Sequence, residues 1–129
     1  MPNWKAKGSK GERELVKFFN EQGWVCVRVA GSGSSIYPAP DILAGNAIRR
    51  VAIECKVTKD AKKYFTNEEI KQLSFFATKF GAEAWVGVKF AGEDWFFLML
   101  EDLEETGKHK VITKEKARLR GLRKEDLIG

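Results

Sequence analysis

Long apolar runs are missing from this 129-residue chain, and none reaches the ~18 residues that a membrane-spanning helix needs. The opening Met1-Pro2-Asn3-Trp4-Lys5 has no hydrophobic leader, so no membrane contact and a cytoplasmic location are expected. Cysteine is scarce: Cys26 and Cys55 form no CxxC pair and sit in apolar runs. That excludes a disulfide framework or a zinc knuckle and points to buried thiols. The one histidine, His109, lies in a basic segment and is expected at the surface without a role. Repeats and low-complexity stretches are absent, and 43% hydrophobic with 32% charged residues reads as one soluble domain over residues 1–129.

What is present is charge, unevenly spread about a net of +5. Residues 91–107 hold Glu93, Asp94, Glu101, Asp102, Glu104 and Glu105 with no Lys or Arg. Residues 108–124 hold eight basic residues against Glu115. Lys5, Lys7, Lys10, Arg13 and Lys17 add a basic N-terminal stretch, of which residues 1–7 are expected to be flexible. Such clusters suit a phosphate backbone. The run over 114–129 fits equally a folded basic segment or a mobile solubilising tail.

The densest chemistry lies between Pro40 and Lys56. Asp41-Ile-Leu-Ala44 and Arg50-Val-Ala-Ile-Glu-Cys-Lys-Val57 are two short apolar runs joined through Gly45-Asn46, a hairpin pattern. On the second run Val51, Ile53, Cys55 and Val57 point one way, and Ala52, Glu54 and Lys56 the other. The hairpin sets Asp41 beside Glu54 and Lys56. Two carboxylates suit a hard divalent cation, Mg²⁺ or Mn²⁺, and a nearby lysine can position or deprotonate a water. The same spacing also fits a surface strand with a solvated charge pair.

Around this hairpin, Ser9-Lys-Gly-Glu12 has capping-box spacing and predicts a helix from Ser9 to about Gln22, stopped by Gly23. Its apolar face holds Leu15, Val16, Phe18 and Phe19, with Glu12 in the middle, facing the sheet and the acidic cluster. The run Trp24 to Val29 predicts a central strand interrupted by Arg28, a partner for Glu12 or a phosphate ligand. Gly31 to Pro40 is a glycine-serine loop. Thr66-Asn-Glu-Glu69 opens a second helix running to about Phe80 before Gly81. Glu83–Phe90, Trp95–Leu100 and Lys110–Thr113 predict further strands. The expected fold is α/β, a mixed central sheet flanked by helices in the order α-β-β-β-α-β-β.

With Glu12, Asp41 and Glu54-Cys-Lys56 in this order, the chain resembles the PD-(D/E)xK nuclease superfamily and, more closely, the archaeal Holliday junction resolvases. The likeness runs through Lys7-Gly-Ser-Lys-Gly-Glu-Arg13, Gly23-Trp-Val-Cys-Val-Arg28, Pro40 to Ala44, Ile53 to Lys56, Phe76 to Gly81 and Gly87-Val-Lys89. It implies a restriction-endonuclease-like fold and a Mg²⁺-dependent phosphodiester hydrolase, with Mn²⁺ as a substitute, that resolves four-way DNA junctions in recombination and repair. Asp41, Glu54 and the carbonyl of Cys55 match the metal ligands, with Glu12 completing the cluster through water. Lys56 matches the lysine that orients the attacking water, and Ser32 a serine needed for cleavage. Arg13 and Arg28 match junction-binding residues, joined by Lys5, Lys7 and Lys10. Phe76 and Phe80 match aromatics at a homodimer interface. The resemblance further implies a nucleoid-associated location and, by analogy, a sliding-clamp partner. The alternatives are another nuclease of the superfamily, acting on ends, flaps or duplex, and a non-catalytic DNA-binding module.

Overall fold

A computed structural model describes residues 4–31 and 36–129, with side chains from Lys7 onward. Ser32 and the side chain of Lys5 therefore lie outside the described residues. Helix α1 spans Trp4–Glu21. Strands β1 (Val25–Arg28), β2 (Ile42–Gly45) and β3 (Arg50–Thr58) follow, then β4 (Lys62–Thr66) and helix α2 (Asn67–Phe80). The remainder is β5 (Glu83–Phe90), β6 (Phe96–Met99), a 3₁₀ turn over Leu100–Asp102, β7 (Glu104–Thr106), β8 (His109–Thr113), α3 (Lys114–Arg120) and α4 (Lys124–Leu127).

A five-stranded sheet runs in the order β1-β2-β3-β5-β6, parallel between β3 and β5 and antiparallel elsewhere. The mixed α/β architecture agrees with the sequence reading. A second sheet, β4-β8-β7, was not foreseen beyond its β8 strand. The period of two along β3 decides which layer covers which residue. Val51, Ile53 and Cys55 are buried with Leu15 and Phe19 of α1, whereas Ala52 is buried with Ile70, Leu73 and Ala77 of α2. Close approach of α1 is permitted by Gly11, where a Cβ would stand 2.9 Å from the Trp95 ring. Helix α2 begins with the expected capping box on Thr66 and Glu69 and ends at Gly81 in the left-handed region, φ 83°.

Two expectations are corrected and one open alternative is decided. Helix α1 runs from Trp4, so Ser9 and Glu12 are interior residues and form no capping box. Their polar groups are claimed by Arg28, whose Nε donates to Glu12 Oε1 and Nη2 to Ser9 Oγ, each at 3.0 Å. Strand β1 is an edge and not a central strand; its apolar run is explained by Val25 and Val27, which are 71% and 51% exposed on the face that α2 leaves uncovered. Residues 114–129, for which two states were open, are folded, with Ala117 and Leu127 buried. Their cations meet the preceding acidic run: Lys114 and Arg118 bind Glu93, Lys116 binds Glu104 and Lys124 binds Asp94. The two charge clusters of the sequence thus largely neutralise each other. No helix among the described residues is long and apolar enough to cross a membrane, and both thiols are buried and free.

Candidate active site

Antiparallel pairing fixes the site. Asn46 Oδ1 accepts the amides of Ile48 (2.8 Å) and Arg49 (2.7 Å), closing the turn between β2 and β3. Pairing then runs Gly45 with Arg50, Ala44 with Val51, Leu43 with Ala52 and Ile42 with Ile53. The ladder ends there: the Asp41 amide donates to the Ile53 carbonyl at 3.1 Å, and the Asp41 carboxyl comes close enough to Glu54 to raise that group's pKa. Asp41 Oδ2 accepts the Cys55 amide at 2.8 Å, which fixes the carboxylate at the mouth of the hairpin.

Two carboxyl groups so placed disturb one another. Burial, then the Asp41 charge beside it, pushes Glu54 up to about 8, with Lys56 acting in the opposite direction. Glu54 accordingly holds a proton at neutral pH when no cation is bound. Two hard oxygen donors held this close are a donor set that suits a small divalent cation, so the residues fit one. Glu12 is near enough for Asp41 to raise its pKa, although burial is the larger cause and Arg28 pulls it back. Among the described residues no three His, Cys, Asp or Glu side chains are grouped closely enough to hold a metal together. The pair is Asp41 with Glu54; Glu12 stands apart, occupied by Arg28.

Lys56 lies on the same face of β3 as Glu54, as the alternation required. Its Nζ is bound to Oε2 of Glu69 at 2.7 Å, while Oε1 of Glu69 caps α2 through the Thr66 amide at 3.0 Å. Burial lowers the Lys56 pKa, but Glu69, Glu54 and Asp41 together carry it above its ordinary value. Glu69 is the residue sequence reasoning placed only as a cap. Its second role needed the packing of α2 on β3, which no local pattern reveals. Arg49 was likewise missed: it forks onto Glu83 at 2.9 Å twice, donates to the Leu127 carbonyl at 2.7 Å and lies over Trp24.

The remaining predicted residues lie around this centre. Lys10 and Arg13 are exposed on α1, and Lys7 precedes them on the same helix. Arg28 serves Glu12 and Ser9, the first of the two roles its position suggested. Phe76 and Phe80 stack with ring centres 5.2 Å apart on α2, remote from the acids, with Phe80 50% exposed.

The family described as archaeal Holliday junction resolvase (hjc) matches residues 3–129. The crossover junction endodeoxyribonuclease Hjc of Archaeoglobus fulgidus is 43% identical over 105 residues, 81% of this chain and 77% of that one. The corresponding Methanocaldococcus jannaschii protein is 34% identical over 82% and 75% of the two chains. The solved structure of Archaeoglobus fulgidus Hjc, a Holliday junction resolvase, superimposes with a TM-score of 0.87 at 38% identity, covering 95% of this chain and all of that one. A hairpin presenting two neighbouring acids and an anchored lysine, on a fold shared with these proteins over nearly its whole length, makes the chain a member of the archaeal Holliday junction resolvase family.

Proposed function

We propose that this protein nicks four-way DNA junctions by divalent-cation-dependent hydrolysis of phosphodiesters, acting in pairs as a homodimer. The observation that carries the reading is the closeness of the Asp41 and Glu54 carboxyls, with Asp41 pinned by the Cys55 amide and Lys56 next but one to Glu54 on β3. Asp41, Glu54 and the Cys55 carbonyl would hold Mg²⁺, with Mn²⁺ as a substitute. Once bound, the cation supplies charge neutralisation at the reacting phosphate and a more acidic water.

The chain's own residues do the rest. Asp41 is held rigid by a backbone donor, so its oxygens present one geometry. Glu54 gives up its proton when positive charge arrives beside it. Lys56, oriented by Glu69, directs a water at phosphorus and stays cationic across the neutral range. Arg28 anchors Glu12 near the acid pair and draws its pKa down against burial and the Asp41 charge, which together raise it. Lys10 and Arg13 face solvent on α1, where they can pair with phosphates. Ser32, outside the described residues, keeps its role in cleavage by resemblance alone.

Paired nicks need two sites in matching orientation, which a closed two-fold dimer supplies. The apolar surface formed by Val25, Val27 and Phe80 is suited to cover a copy of itself. The test is cleavage of a labelled synthetic four-way junction beside linear duplex of the same sequence, with Mg²⁺ and with EDTA. Paired nicks restricted to the junction and lost in EDTA are expected; equal cutting of the duplex, or no cutting, refutes the assignment.

A further inference from the structure

The lysines of this protein divide into those with a carboxylate partner and those without. Lys110, Lys114, Lys116 and Lys124 are each paired, with Glu105, Glu93, Glu104 and Asp94. Among the described residues several lysines have no ion-pair partner, Lys71 and Lys79 on α2 among them, and three of these, Lys59, Lys62 and Lys108, are exposed close to one another in the fold. They gather on the small sheet. Lys59 leads into β4, Lys62 opens it opposite Thr113, and Lys108 sits in the β7–β8 turn beside the far end of β4, where Thr66 faces His109. Between them Tyr64, half exposed, meets the His109 ring edge-on with centres 6.1 Å apart. The other face of β4 and β8 is core, with Phe65 and Ile112 fully buried. Of the acids around it Glu104 and Glu105 are already bound, while Asp60, Glu68 and Glu115 are exposed at its margins.

This surface is continuous with the catalytic residues. The Lys108 carbonyl accepts the Asn67 amide at 3.4 Å in the first turn of α2, two residues before Glu69, which holds Lys56. From Thr66 to Lys62 the strand advances roughly 13 Å at about 3.3 Å per residue. That is about four base pairs of rise along one DNA strand.

We infer that the exposed face of β4-β8-β7 carries the DNA arm leading away from the scissile phosphodiester, its phosphates gripped by Lys59, Lys62 and Lys108. The inference rests on the junction-nicking reading and names the surface that holds the substrate beyond the site. The contact reads no bases; it adds affinity through the arm's phosphates and leaves the geometry at the scissile bond to the acid pair and Lys56.

The test is the full chain carrying Lys59→Ala, Lys62→Ala and Lys108→Ala together, with thermal unfolding to show an intact fold. A second variant, Lys71→Ala with Lys79→Ala, removes exposed cations elsewhere, on α2. Affinity for a fluorescent four-way junction is measured in EDTA over a KCl series, and nicking in Mg²⁺ at saturating protein. The triple variant should show a slope of log K against log salt shallower by about 2.7, at 0.9 per lost phosphate contact, and on the order of 10²-fold weaker binding at 0.1 M salt. Its saturated nicking rate should stay within about twofold of the parent. An unchanged slope overturns the inference, and so does an equal loss in the second variant, which would mean diffuse charge and not this face. If the parent itself fails to bind junctions, the nicking reading falls first and this one with it.

Discussion

Replacing Glu54 by Gln should make the cation-free protein more stable while abolishing nicking. The carboxyl lifts from 4.5 to about 8 because folding buries it against Asp41. For an acid raised by folding the sign is fixed. The native state binds the proton more tightly, so stability is highest below pH 4.5 and is lost as pH rises towards 8. At about 1.4 kcal/mol per pH unit, full expression of the shift would cost about 5 kcal/mol at pH 8 and above. Glu54 is not wholly shielded, and water reaching the ionised pair reduces the penalty, so about 2–4 kcal/mol is expected. Glutamine keeps the shape, cannot ionise and offers its amide N–H to Asp41. Urea unfolding in EDTA at pH 5 and pH 8.5 measures the difference. The parent should lose stability between the two pH values and the variant should not, while Mg²⁺ at 100 times Kd should return about 2.7 kcal/mol to the parent alone. A Glu54→Gln protein less stable than the parent at pH 8.5 would refute the argument that the acid pair is a site of stored repulsion.

Three further outcomes follow from the contacts described. Glu69→Gln retains the amide oxygen that caps Thr66 but loses the ion pair to Lys56, and should cost about 1–3 kcal/mol, the range for a hydrogen bond to a charged group. Because the Glu69 pKa is lowered and that of Lys56 raised, the difference should persist between the unfolded values of 4.5 and 10.5 and fade outside them; the alkaline limb of the nicking profile should also move to lower pH. Leu127→Ala empties a side chain that is 1% exposed and should cost about 3 kcal/mol in chemical denaturation, whereas a mobile tail would show no change. Phe80→Asp places a charge on the uncovered apolar face and should convert a dimer to a monomer in sedimentation at micromolar concentration; an unchanged sedimentation coefficient would exclude that face from the interface.

The acid pair was legible because it depends on local rules. A two-sided strand, a tight turn and a spacing that sets Asp41 against Glu54 are properties of sixteen consecutive residues. Glu12 announced itself as a carboxylate on an apolar helix face. What failed were inferences whose outcome depends on distant partners. Ser9 and Glu12 have capping-box spacing, yet Arg28, sixteen residues beyond Glu12, decides what their oxygens bind. Val25 and Val27 read as core because an apolar run has the same pattern whether the fold buries it or leaves it exposed at a sheet edge. The acidic and basic runs looked like separate surface features until folding paired Glu93 with Lys114 and Arg118. Lys56 and Glu69 are the same case at the centre of the site: each was visible, and their contact was not.

The turn between β2 and β3 has a further consequence through Arg49. This residue ends the turn that sets the register of the acid pair, and its guanidinium is held by a carbonyl 78 residues later in the chain. Register along this hairpin is therefore not a purely local matter. A slip of one residue would carry Glu54 to the opposite face and leave Asp41 facing an apolar neighbour. Docking of α4 guards against that slip by gripping the turn itself.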